Sequence, residues 1–231
     1  MKSFYEKHYA SKEVMGAPIS IPDTLGQLKT QGSRYFCVFN QLPDPGGLSA
    51  LELGFGYPQI SNALASVFKS YLAIDVAVDA ILSAYKGPIS FNYLAADLNT
   101  DFPIESASKD VVIAMMVIEH LFDPFHSFSE VARICKPGGL AFVNLPLITS
   151  LKHRIALIFG RMPTTSTREW FDQREWDGGH LHNFDIAHVK RLAKLYGLTL
   201  TRVYPVGRGY HLKKLAPSLL CGEISFVFAK S

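Results

Sequence analysis

From residue 49 onward, short apolar runs alternate with segments whose apolar residues recur every three or four positions. The run at 50–53 reads as a buried strand, and Ile60, Leu64 and Val67 mark a helix over roughly 59–69. A second strand covers 71–75, followed by a helix near 79–85, and a third strand over about 89–96 leads to Asp97. The run 110–116 is unbroken and apolar, as in a strand buried on both faces. A helix over 124–135 sets Phe125, Phe128, Ala132 and Cys135 on one face. Lys136-Pro137-Gly138-Gly139 ends it, and a fifth strand runs over 140–145. Asp185 caps a later helix over 186–196 that stops at Gly197. Two further strands are expected at 199–206 and 224–230. This alternation predicts an α/β fold with a parallel sheet and helices on both faces.

The pattern is looser elsewhere. Residues 1–48 form a lead-in with a short helix at 3–9 carrying Phe4, Tyr5 and Tyr9. A second helix within 25–42 ends at the breaker Pro43-Asp44-Pro45-Gly46-Gly47. The lead-in either packs on the sheet or forms a flap over a ligand. Residues 148–179 read as an insertion. Its first part, 151–160, is an amphipathic helix with Leu151, Ile155 and Ile158 on one side, beside Lys152, His153 and Arg154. A lid packed on the sheet is the expectation, rather than a membrane-touching helix. Trp170, Phe171 and Trp176 are either walls of an acceptor pocket or core residues of that lid.

A chain of 231 residues with 48% apolar content suffices for one large α/β domain. A net charge of +3 is too mild to argue for nucleic acid. Cys37, Cys135 and Cys221 are odd in number and form no CxxC pair, which suggests reduced thiols. The polar first 13 residues lack a signal-peptide core, and the longest apolar run, 111–118, is far short of a membrane span. A cytoplasmic protein without membrane contact is expected. Between 186 and 222 there are seven Lys/Arg and no Asp or Glu. That stretch is either a solvated face or a surface for an anionic partner: a phosphorylated or nucleotide-linked sugar, a carrier protein, or acidic lipid headgroups. No basic-aromatic motif accompanies it, so no nucleic acid is expected.

The chemistry centres on Leu51-Glu52-Leu53-Gly54-Phe55-Gly56-Tyr57-Pro58. A strand enters a glycine turn that lets backbone approach a ligand, and the following helix offers free N–H groups. Asp75 closes the next strand, 21 residues after Gly54, about where a carboxylate meets ribose hydroxyls. Ligands of such sheets bind beyond the carboxyl ends of the strands. Glu52, Gly54, Gly56, Asp75, Asp97 and Met116 all fall at that edge. A G-x-G-x-x-G dinucleotide motif fails, because position 59 is Gln59.

The set LELGFG, AID ending at Asp75, AADL at Asp97, DVVIAMMVIEHL and KPGGLAFVNLP resembles the class I S-adenosylmethionine-dependent methyltransferases, in particular their small-molecule, type 11/12-like branch. The similarity covers about 49–146 and resumes at His180-Leu181-His182-Asn183-Phe184. It implies a Rossmann-like, doubly wound, mostly parallel seven-stranded sheet with an antiparallel last strand and a lid insertion. It implies S-adenosyl-L-methionine as cofactor, with the turn Gly54, Phe55 and Gly56 under its methionine part. Glu52 orients the loop or the cofactor amine, and Asp75, with Val76 after it, takes the ribose hydroxyls. Asp97 takes the adenine amino group with the Leu98 amide near a ring nitrogen, and Met116 lies beside the methionine chain. Pro58 departs from the family's small residue there. It is acceptable in a first helical turn but supplies no N–H.

An acceptor hydroxyl must lose a proton, and histidine is the natural base near neutrality. In an extended stretch His180 and His182 point to one side. One of them, or His120, is the candidate base, unless they serve only to fix the lid. His180 and His182 lie near Asp172 and Asp177, but the spacing matches no strong ligand motif and no metal is expected. The expected function is methyl transfer to a small molecule, with oxygen favoured, then nitrogen or carbon. The alternative is a homologue that binds cofactor without reacting, in a regulatory or scaffold role.

Overall fold

The apolar run around Val112 becomes the central strand because both of its faces are covered by helices. In the computed structural model, which describes residues 21–165 and 179–231, this strand is β4 (Lys109–Met115), with 111–115 fully buried. β1 (Ser49–Leu53), β2 (Ser70–Asp75) and β3 (Asn92–Ala95) continue the sheet on one side. On the other lie β5 (Cys135–Pro146), β7 (Glu223–Lys230) and β6 (Leu198–Pro205). The order is β3-β2-β1-β4-β5-β7-β6 over seven strands. β1 pairs in parallel with β2 and β4, as do β2 with β3 and β4 with β5. β7 runs antiparallel to both β5 and β6.

Strand alternation divides the core in two. Leu51, Leu53, Val112, Ala114, Phe226 and Phe228 face one layer, with α5 (Pro124–Ile134) and α7 (Ile186–Leu195) packed over it. Ala50, Ala73, Ile113, Phe142 and Val227 face the other. That face is covered by α1 (Ile21–Leu28), α2 (Phe36–Gln41), α3 (Pro58–Ala65) and α4 (Val78–Ala84). The remaining described helices are α6 (Leu151–Ile158), α8 (Tyr210–Lys213) and α9 (Pro217–Leu220).

Several expected boundaries move for identifiable reasons. The helix expected within 25–42 is two helices, broken at Gly32, whose φ is +90°. A Cβ there would sit 2.6 Å from the Gly207 carbonyl oxygen, and the Gly207 amide donates to the Gly32 carbonyl at 2.8 Å. β3 is shorter than expected because the Asn62 side chain takes the preceding backbone. Its Nδ2 donates to the Pro88 carbonyl at 2.7 Å, and its Oδ1 accepts from the Ser90 amide at 2.7 Å. β5 starts earlier, since Cys135 already pairs with Lys109, and Lys136-Pro137-Gly138-Gly139 bulges before Leu140 resumes the ladder at Val111. At the foot of the sheet Asp110 accepts from the Ser49 hydroxyl at 2.6 Å and from Lys136 Nζ at 2.7 Å.

Two packing expectations are corrected. Phe125 does not join the buried face of Phe128, Ala132 and Cys135. It sits in the first turn of α5, beyond the sheet edge, and is half exposed. Leu151, Ile155 and Ile158 of α6 do not pack on the sheet either, and Ile158 is 78% exposed. The inward residue is His153, whose Nδ1 lies 3.1 Å from the Ile148 carbonyl and Nε2 2.9 Å from the Thr164 carbonyl. A polar side chain, with Nε2 against the Thr164 carbonyl and Nδ1 between the Ser150 hydroxyl and the Ile148 carbonyl, therefore sets which side of α6 turns inward. The short helix expected at 3–9, and Trp170, Phe171 and Trp176, lie outside the described residues.

Candidate active site

The carboxyl edge of the sheet carries the chemistry. β1 delivers Leu53 into Gly54, whose φ is +75°, a left-handed conformation that glycine adopts without strain. A Cβ at Gly54 would lie 2.8 Å from Val117 Cγ2, so the turn needs glycine for space as well. The Gly54 amide donates to the Ile74 carbonyl at 2.8 Å, which ties the turn to β2. Phe55 is buried, with its ring edge-on to Phe91. Gly56 and Tyr57 lead into α3, where buried Pro58 occupies the first turn and Tyr57 makes no side-chain cap.

Glu52 lies beneath this turn, fully buried. Its Oε2 accepts from the Ser61 and Tyr71 hydroxyls at 2.6 Å each, and its Oε1 from the Tyr35 hydroxyl at 3.3 Å. Burial pushes its carboxyl up to about 7, against the pull of those three hydroxyls. Tyr35, Ser61 and Tyr71 escape a motif reading, because each is an ordinary polar aromatic or small residue until the fold turns it toward Glu52.

Asp75 ends β2 and is buried. Its Oδ1 accepts from the Ala77 amide at 2.9 Å, and burial pushes its carboxyl up to about 6. Val76, half-buried, follows it. Asp97 stands exposed just after β3, and its Oδ1 accepts from the Asn99 amide at 2.9 Å and from Asn99 Nδ2 at 2.8 Å. Leu98 beside it is buried. Met116 follows β4 with φ +56°, uncommon for a residue with a side chain. Its amide donates to the Asn144 carbonyl at 3.1 Å, which holds this turn against β5.

The 118–122 segment then meets the 179–184 segment. The Leu181 amide donates to the Glu119 carbonyl at 2.8 Å. This sets the His120 and His180 rings edge-to-face, with centroids 4.7 Å apart. His120 Nδ1 lies 3.2 Å from the Gly179 carbonyl, and His180 Nδ1 2.7 Å from the Thr165 hydroxyl. His182 is turned elsewhere. Its Nε2 lies 3.0 Å from the Leu121 carbonyl and 3.1 Å from the Phe122 carbonyl, so this nitrogen carries hydrogen and clamps that loop. Glu119 is fully buried beside them, and burial pushes its carboxyl up to about 8. Asp172 and Asp177 lie outside the described residues.

Comparison with known proteins adds to this geometry. Residues 51–143 match the family described as "Methyltransferase domain". A Mycobacterium tuberculosis protein named as a probable S-adenosylmethionine-dependent methyltransferase is 30% identical over 114 residues, 49% of this chain and 41% of that one. A ubiquinone biosynthesis O-methyltransferase of Burkholderia vietnamiensis is 29% identical over 175 residues, 72% of this chain and 73% of that one. The chain spans 38–41% of the length of the mycobacterial relatives it matches. An S-adenosylmethionine-dependent methyltransferase from Mesorhizobium loti superposes with a TM-score of 0.63 at 14% identity, over 88% of this chain and 100% of that one. At that identity the likeness is one of fold.

Proposed function

The chain belongs to the class I S-adenosylmethionine-dependent methyltransferases, and on that premise we propose that it methylates a small molecule, at oxygen before nitrogen or carbon. The observation that carries this reading is the row of acceptor groups along the carboxyl edge. Glu52 lies under the Gly54 turn, Asp75 ends β2 and Asp97 follows β3. These residues suit S-adenosylmethionine. The glycine turn presents backbone rather than side chains, an ionised Asp75 accepts from paired ribose hydroxyls, and Asp97 beside buried Leu98 offers an acceptor next to an apolar shelf. The cofactor supplies an activated methyl group on a sulfonium, so the protein's task is to position the acceptor and receive its proton.

Oxygen is favoured because the Glu119–His120–His180 group lies past the end of β4, where an acceptor meets the edge. There His120 Nδ1 lies 3.2 Å from the Gly179 carbonyl and Nε2 4.0 Å from Glu119 Oε1, which keeps the ring at the edge as a base candidate. His182, held as a loop clamp, is the weakest of the three base candidates. The Burkholderia relative, named as an O-methyltransferase, agrees with oxygen. The basic stretch 186–222 supports an anionic acceptor, and raised salt would then increase its KM. The reading of a homologue that binds without turnover draws on Pro58, which supplies no N–H where α3 begins.

A thermal-shift titration tests the cofactor site, with S-adenosylmethionine, its demethylated product and NAD compared. At a hundredfold excess over Kd, binding adds about 2.7 kcal/mol, a rise of roughly 5–10 °C for a chain of this size. A rise with NAD alone, or with none of them, overturns the cofactor assignment. Turnover in an acceptor screen then separates the enzyme from the silent homologue.

A further inference from the structure

We propose that Glu119, His120 and His180 form a binding site for a single divalent transition-metal ion of the zinc type. One ligand atom from each residue lies within 4.8 Å of the others. His120 Nε2 is 4.0 Å from Glu119 Oε1. An ion bound at about 2.0–2.2 Å from each ligand would draw these atoms closer together. Two imidazoles and a carboxylate make a donor set of intermediate softness. It suits zinc, cobalt or ferrous iron better than magnesium or calcium, which prefer all-oxygen cages.

Two further observations point to a cation. Both carboxylate oxygens of Glu119 are buried and have no hydrogen-bond partner among the described residues. A buried carboxyl is normally satisfied, and an unmatched one calls for a partner such as a cation. The histidines also have outer partners of the kind that orient metal ligands. His120 directs Nδ1 to the Gly179 carbonyl, and His180 directs Nδ1 to the Thr165 hydroxyl. Such contacts fix ring orientation, and the Gly179 carbonyl, which only accepts, also places the His120 hydrogen on Nδ1, away from Nε2. The backbone bond from Leu181 to Glu119 holds the two segments together before any ion binds.

Three protein ligands leave coordination positions open, the arrangement of catalytic rather than structural sites. An oxygen atom of the methyl acceptor would be the natural occupant; the ion would lower the pKa of its hydroxyl, and the proton would pass to solvent, because His120 Nε2, held by the ion, would then not serve as the base. That role rests on the methyl-transfer reading, whereas the ion site does not.

The test is a titration of chelator-treated, desalted protein with Co²⁺, followed by its visible d–d absorption, and with Zn²⁺ by calorimetry. Neither cofactor nor acceptor is present, so the outcome is independent of whether the chain transfers methyl groups. The expected result is one ion per chain. Glu119→Gln and His180→Ala each weaken binding at least 10-fold, and exposed His188→Ala leaves it unchanged. Metal-free unfolding midpoints close to that of the parent chain establish that the variants are folded. If a variant does not fold, the parent chain's Co²⁺ spectrum decides, because nitrogen–oxygen coordination must appear at one equivalent. No saturable binding, or undiminished binding in folded Glu119→Gln and His180→Ala, overturns the proposal.

Discussion

At the scale of single residues, the site depends on groups whose alternatives are physically unfavourable. Gly54 combines φ +75° with a 2.8 Å approach of its would-be Cβ to Val117. Gly54→Ala should therefore lose about 1–3 kcal/mol of stability and most cofactor affinity, read by denaturant unfolding and cofactor titration. A variant as stable and as tight-binding as the parent would contradict the role given to the turn. Asp75 is different, because its carboxylate is held by backbone amides, those of Ala77 and Val76 beside it and that of Phe55 in the glycine turn. Asp75→Asn keeps an oxygen for the Ala77 amide but loses the double-acceptor character that ribose hydroxyls need. The expected outcome is a cofactor Kd raised roughly 10- to 100-fold, about 1.4–2.8 kcal/mol, with an unfolding midpoint within a few degrees of the parent. Calorimetric titration checks the first quantity and a thermal scan the second.

At the scale of elements, helix α6 is held by its own buried histidine. The His153 ring lies between the Ser150 hydroxyl, the Ile148 carbonyl and the Thr164 carbonyl, while the apolar residues around it face outward. His153→Ala should free residues 148–165 without unfolding the sheet. Limited proteolysis would then cut within that segment well before global unfolding, and equal cutting rates in variant and parent would rule this out. The same helix shows where a sequence can and cannot be read. The strands β1, β2, β4 and β7 were legible because a continuous apolar run between polar punctuation has few other uses. The periodicity of α6 was legible too, but not its orientation, since spacing fixes a face and not what that face meets. The glycine turn and the strand-end acids were visible because they lie on adjacent elements. The hydroxyls on Glu52 were not, because Tyr35 and Tyr71 lie 17 residues before it and 19 after it. The meeting of His180 with Glu119 and His120 was equally hidden. It depends on one backbone hydrogen bond between segments 62 residues apart.

At the scale of the whole molecule, buried acids set the pH response. Glu52, Asp75 and Glu119 have folded pKa values of about 7, 6 and 8, raised by burial, against about 4 in an unfolded chain. The folded state therefore holds protons that the unfolded state has released. The associated stability is complete below about pH 4, falls as pH rises through 6 to 8, and levels off above that. Asp110 acts in the opposite sense. Burial raises its pKa, but the hydrogen bonds from Lys136 and Ser49 outweigh that and hold it at about 2, so its contribution is lost only as pH falls from about 4 toward 2. The metal-free chain should melt several degrees higher at pH 5 than at pH 8. Glu52→Gln should flatten part of that slope, and a midpoint that climbs from pH 5 to 8 would refute the assignment.

The placement of β7 between β5 and β6 has a consequence for the nascent chain. A ribosome delivers β6 first, with its only eventual neighbour still unmade. At 5–20 residues per second the interval before residues 223–230 emerge is on the order of seconds. During that time 198–205 is a strand with two open edges, the state most prone to pair with another chain. Thr199, Thr201 and Arg202 are exposed even in the finished sheet, the last two adjacent where the register with β7 shifts. Polar side chains at those positions oppose such pairing until β7 closes the gap.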